Sequence, residues 1–278
     1  MRRKGFTLVE LLVVIAIIAL LMGILMPALS RVRQIAFRLV CGTNLSGIGK
    51  AMLIYANDYN DGLPRAGSRD SEWLRESVKW DAADKFEAYS LKANGTGGKV
   101  TITSSFYLLV KYTDVTPKSF LCKGDSTVSE FVPDNNKELI ELWDFGPKGI
   151  EHCSYSYQLP YCKFPLTVSS EPGMPVAADP NPWIDESRKW DDFNPDGGKD
   201  AIKTGNAITH LEEGQNVLFM DSHVEFETIS FCGLNDDNIY TQQEENVDIR
   251  KGKKPTVRFC VPLNRNDSLI VDDRLAKM

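Results

Sequence analysis

Apolar residues run almost unbroken from residue 6 to residue 29, and Glu10 is the only charged side chain among them. At about 1.5 Å per helical residue these roughly 24 positions span about 36 Å, enough to cross a hydrocarbon core of about 30 Å. Arg2, Arg3 and Lys4 stand in front of the run and predict a cytoplasmic N-terminus. Past Pro27 the pattern becomes amphipathic. Val32, Ile35, Leu39, Leu45, Ile48, Met52, Tyr55 and Tyr59 recur mostly three and four apart, with Arg31, Arg33, Arg38 and Lys50 between them. This predicts a helix whose apolar face lies on a globular domain, loosened at Gly42, Gly47 and Gly49. Turn-forming residues over 57–64 end it.

From about residue 61 the chain predicts one globular unit with generous loops. Short strand-like runs occupy 100–105, 106–110, 154–159, 216–220, 223–228 and 257–261. Polar loops rich in Gly, Pro, Asn and Asp separate them, notably over 171–203. One long helix followed by strands predicts an α+β fold with an antiparallel sheet, not alternating βαβ units.

The N-terminal run fits a cleaved secretory signal, a plain anchor, or a segment that uses Glu10. A carboxylate inside an apolar helix costs about 2.5–3.5 kcal/mol on insertion scales, which points to a partner. A secretory signal has an apolar centre of about 7–15 residues, and the charge-free stretch after Glu10 is longer. Against this, Glu10 lies near one end, and Ala28-Leu29-Ser30 supplies a small-x-small peptidase site.

The contiguous residues Gly5-Phe6-Thr7-Leu8-Val9-Glu10-Leu11-Leu12-Val13-Val14-Ile15 closely resemble the processing signal of type IV prepilins and type II secretion pseudopilins. The resemblance covers about 25 residues and implies a fold and a fate. A prepilin peptidase cuts between Gly5 and Phe6 and N-methylates Phe6. Glu10 of an incoming subunit pairs with the new N-terminal amine of a neighbour, and Pro27 sits at a family helix kink. The implied organisation is a leader (1–5), a transmembrane half-helix (6–29), an amphipathic half-helix (30–60) and an exported pilin-like α+β domain (61–278). The implied partners are prepilin peptidase, the inner membrane, and other pilin or pseudopilin subunits met through the helix. The globular part is then periplasmic, or extracellular in a filament. The alternative is an exported, membrane-anchored binding module or enzyme that borrows the signal.

A net charge of −6 and the lack of a basic, aromatic-rich stripe outside residues 31–38 argue against nucleic acid as a partner. Six cysteines (Cys41, Cys122, Cys153, Cys162, Cys232, Cys260) fit disulfides in an oxidising compartment but leave the pairing open. Asp192, Asn194 and Asp196, followed by Gly197, match the opening of a calcium loop. Lys203 stands where such a loop needs a closing Glu, so turn chemistry explains the segment as well. His210, Asp221 and His223 offer transition-metal donors, although Asp221 fits better as the turn between two strands. This stretch resembles a C-terminal signature of large pilin-like proteins of planctomycetes and related bacteria, with Ser222 in place of its Gly. No G-x-S-x-G elbow or phosphate loop appears, so the expectation is a structural subunit and not an enzyme.

Overall fold

The computed structural model describes residues 8–74, 78–134, 137–184, 188–256 and 260–274. Helix α1 (Leu8–Asp58) carries both the apolar run and the amphipathic stretch, with Pro27 inside it. Two strands, β1 (Glu72–Trp73) and β2 (Lys99–Val100), form a small parallel pair on either side of a one-turn helix α2 (Lys85–Ala88). Helix α3 (Ile102–Tyr112) follows directly. The main sheet is antiparallel and five-stranded. It contains β3 (Ser156–Gln158), β4 (Pro175–Ala178), β5 (Gln215–Phe219), β6 (Val224–Glu227) and β7 (Ile270–Val271), in the order β6-β5-β4-β3-β7. A short helix α4 (Lys199–Lys203) lies between β4 and β5. The α+β expectation holds.

Both faces of the sheet are covered, which explains why β3, β4 and β5 are buried at every position. Tyr157, Ala177, Leu218 and Val271 join α1 and α3 in the larger core. Alternate positions Ala178, Val217, Phe219 and Ile270 pack on Trp183, Phe193, Ile239 and Tyr240 on the far side. The period of two along each strand sends neighbours to opposite layers. The stretch 171–203 is therefore more than the expected polar loop. It supplies central strand β4 and two aromatic anchors, Trp183 and Phe193, both fully buried.

Two strand expectations are corrected. Residues 102–110, read as strand from their β-branched and aromatic content, are helical and all buried within α3, which surfaces only at Lys111 and Tyr112. Thr103, Ser104 and Ser105 are buried along with the apolar residues, so polar positions do not mark a solvent face and composition misleads there. Its start is fixed by polar groups. Thr101 Oγ1 accepts from Ser104 N at 3.0 Å, and Ser104 Oγ accepts from Thr101 N at 3.2 Å. Asp273 then takes the free amides of Ile102 and Thr103, each at 2.8 Å, and Trp73 Nε1 at 2.9 Å. Such caps satisfy the orphan donors of a first turn. Of the run at 257–261, residues 257–259 lie outside the described residues.

The apolar face of α1 also needs correction. Leu45, Ile48, Met52 and Tyr55 are buried on the domain as expected, and Tyr59 stacks on Tyr55 at 4.0 Å just past the helix end. Val32, Ile35 and Leu39 are instead exposed, at 62%, 49% and 69%; at this edge the domain meets α1 through Arg38, which reaches Glu213 and Phe226. Nor do the glycines loosen α1. Gly49 lets it approach β5: a Cβ there would stand 2.6 Å from Leu218 Cδ1.

Candidate functional site: the projecting helix and its junction with the domain

Leucines, isoleucines and valines from Leu8 to Leu29 are solvent-facing all round α1, and this is the one described helix long and apolar enough to cross a membrane. Glu10 lies in its first turn. Gly5 and Phe6 lie outside the described residues. The exposed apolar positions continue past the bilayer-length segment through Val32, Ile35, Leu39 and Val40. From Leu8 to Val40 the helix rises about 50 Å, against a hydrocarbon thickness of about 30 Å.

Where α1 meets the domain, contacts change in kind. Arg38 forms an ion pair with Glu213 and lies over the Phe226 ring, 4.5 Å from its centroid. Cys41 is bridged to Cys122 by a disulfide with a Cα separation of 5.1 Å. Tyr155 Oη donates to the Cys41 carbonyl at 3.3 Å, and Asn44 Nδ2 donates to the Leu121 carbonyl at 2.9 Å. The bridge spans 81 residues of sequence. In the chain-entropy model a loop of that size lowers unfolded-state freedom by roughly 4–5 kcal/mol. The disulfide expectation is met through the helical cysteine, while Cys153, Cys162, Cys232 and Cys260 are free thiols. Burial pushes the Cys260 thiol up to about 12 and raises Cys153, Cys162 and Cys232 as well, so none behaves as an activated nucleophile.

Beneath the bridge lies a buried polar cluster. His210 is fully buried, with Nε2 at 3.0 Å from Asp179 Oδ2 and 3.6 Å from Cys122 Sγ. Asn216 fixes the Asp179 carboxylate from its backbone amide at 2.7 Å and its Nδ2 at 2.9 Å. Three segments place these groups: the exit of β4 (Asp179), a 3₁₀ turn (Ile208–His210) and the start of β5 (Asn216). Asp179 is inconspicuous in the sequence because it sits in the loop-like Asp-Pro-Asn-Pro segment. Its only signal is the apolar pair Ala177-Ala178 before it.

The structure separates His210 from Asp221 and His223. The latter two form the β5–β6 turn, where Asp221 Oδ1 accepts from His223 N at 3.1 Å and contacts His223 Nδ1. These contacts, the backbone one foremost, hold the exposed Asp221 carboxyl below its ordinary range. The His223 ring stacks on Phe219 at 4.5 Å. Ser222 takes φ +72°, the left-handed conformation that a Gly would favour. The turn reading of this stretch describes what is observed.

In the segment 192–196, Asp192, Asn194 and Asp196 face solvent while Phe193 and Pro195 are buried between them. Asn194 Oδ1 accepts from Asp196 N at 3.0 Å, and Asp196 is paired with Arg250 at 2.8 Å. The alternating oxygen donors thus coincide with an alternation of burial. As for hydrolytic chemistry, His152 Nδ1 contacts the Ser129 carbonyl, and His210 and His223 face the partners already named. No serine hydroxyl therefore stands on a histidine ring among the described residues. A groove beside the junction is lined by Asp125, Thr127, Asn181, Thr209 and Arg274, with Arg274 Nη1 on Asp125 Oδ2 at 2.9 Å.

Residues 1–26 match the family model described as the prokaryotic N-terminal methylation motif. No curated protein and no solved structure matches the chain. The match covers the membrane-spanning rod and stops short of the junction, so it identifies a prepilin-type signal on an exported, membrane-anchored protein of pilin-like build.

Proposed function

We propose that the protein is a structural subunit of a type II secretion pseudopilus, or of a related type IV pilus-like filament. It is stored in the inner membrane with its domain outside and processed between Gly5 and Phe6. One observation carries this reading. The apolar surface of α1 extends to Leu39 and Val40, about 20 Å beyond what a bilayer of ordinary thickness would cover. A plain anchor has no use for that surface, whereas a bundle of neighbouring helices would bury it. Glu10 then meets the methylated amine of an adjacent Phe6 in a low-dielectric surround, which offsets its insertion penalty.

Mass spectrometry of the mature N-terminus tests the processing step. The expected chain begins at methylated Phe6; a start at residue 31 would instead mean ordinary secretion. Cysteine cross-linking between copies, with reporters at Ile35 and Leu39, tests assembly. Helix-to-helix products are expected in membranes that contain the processed chain, and their absence at both positions would leave only an anchored domain.

A further inference from the structure

The disulfide and the polar cluster beneath it form a single group of metal donors. Cys41 Sγ, Cys122 Sγ, a carboxylate oxygen of Asp179 and a ring nitrogen of His210 all lie within 4.8 Å of one another, and all four residues are buried. Two sulfurs, an imidazole nitrogen and a carboxylate oxygen are the donor types of closed, four-coordinate zinc sites. Zinc–sulfur bonds of about 2.3 Å and zinc–nitrogen or zinc–oxygen bonds of about 2.0–2.2 Å place tetrahedral ligand atoms roughly 3.3–3.8 Å apart. His210 Nε2 already stands 3.6 Å from Cys122 Sγ and 3.0 Å from Asp179 Oδ2.

Three further features suit a metal. The Gly124 amide donates to Cys122 Sγ at 3.4 Å, an arrangement that stabilises charge on a thiolate sulfur. Gly124 is required there, since a Cβ would stand 2.2 Å from the Thr209 carbonyl oxygen. Asp179 Oδ1 is buried and carries no hydrogen bond, so the protein leaves donor capacity unused. Asn216 holds the same carboxylate through two hydrogen bonds, as outer-shell partners of metal ligands do.

We propose that, before the Cys41–Cys122 bridge forms, these two thiols with His210 and Asp179 bind one zinc ion in a closed structural site. Binding forms two sulfur–zinc bonds, releases the two thiol protons and transfers no electrons. Disulfide and zinc are alternative occupants of one place. Converting the bridged chain to the binding form requires a two-electron reductant while both Sγ atoms regain protons: a dithiol, itself oxidised to a disulfide, or a phosphine, itself oxidised to the phosphine oxide with its oxygen and the protons from water. The chain is made where thiols stay reduced and meets oxidising conditions only after export. Zinc would therefore fasten α1 to the sheet during the interval in which the covalent tie is absent.

The test uses the mature full chain in detergent, reduced with a phosphine, dialysed free of metal and titrated with zinc or cobalt. The expected result is one ion per chain, with sulfur-to-cobalt charge-transfer bands and the intense visible bands of tetrahedral cobalt. The oxidised chain should take up none. Cys41→Ser should weaken the charge-transfer bands and His210→Ala should reduce zinc affinity at least a hundredfold. Asn216→Ala should reduce it about ten- to a hundredfold. If the reduced chain loses its native circular dichroism, recovery on adding one equivalent of zinc supports the site, and failure to recover overturns it. A reduced, folded chain that takes up neither metal overturns it too, as does uptake that Cys41→Ser and His210→Ala leave unchanged.

Discussion

At the scale of single residues, polar groups in apolar surroundings give the sharpest expectations. Glu10→Val should leave the protein in the membrane, since it removes an insertion penalty, yet abolish helix-to-helix cross-linking at Ile35 and Leu39 if the carboxylate recruits a neighbour's amine. Inside the domain, Asp144 is buried and accepts from Thr101 Oγ1 at 2.7 Å and Phe145 N at 2.8 Å. Burial pushes its carboxyl up to about 7, and that of Asp267 likewise, while Asp237 rises to about 6. A carboxyl that binds its proton more tightly when folded is fully stabilised below its unfolded value of about 4. It loses that stabilisation as pH rises through its folded value. The melting temperature should therefore fall by several degrees between pH 5 and pH 8, and Asp144→Asn should flatten part of that slope. A scanning calorimeter reads both. In the segment 192–196, Asp196 is engaged by Arg250 and Asn194 by its own turn, so calcium should not raise the melting temperature. A rise abolished by Asp196→Asn would make the segment a calcium site after all.

At the scale of elements, α3 depends on a distant acid. Asp273 closes its N-terminus by taking two backbone amides, so Asp273→Ala should destabilise the domain by about 1–3 kcal/mol, measured by urea unfolding. Gly49→Val should cost about as much, because its side chain would overlap Leu218 in β5. Legibility in the sequence follows the same physics. The rod announces itself through sheer apolar length, and β3, β5 and β6 through alternating or β-branched runs flanked by turns. Helix α3 is misread because three small hydroxyl residues followed by a β-branched and aromatic run look like strand, while packing buries both kinds alike. Strand β4 is missed because Pro-Val-Ala-Ala is short, small and set among turn residues, yet it occupies the middle of the sheet. The junction was half legible: Cys41 and Cys122 stand out as types, but only tertiary packing brings them to Asp179 and His210. No spacing rule joins residues so far apart.

For the whole molecule, the division of labour along α1 is the organising fact. Its first 30 or so described residues touch no part of the domain core, and its last turns form part of that core. The methylation motif occupies only the first 26 residues and is silent on the rest of the chain. A single covalent link then has a mechanical meaning. Force applied to the greasy rod would reach the globule at Cys41, where a sulfur–sulfur bond backs up the weaker grip of side chains. While that bond is whole the rod cannot part from its socket, and a pull on the one is a pull on the other.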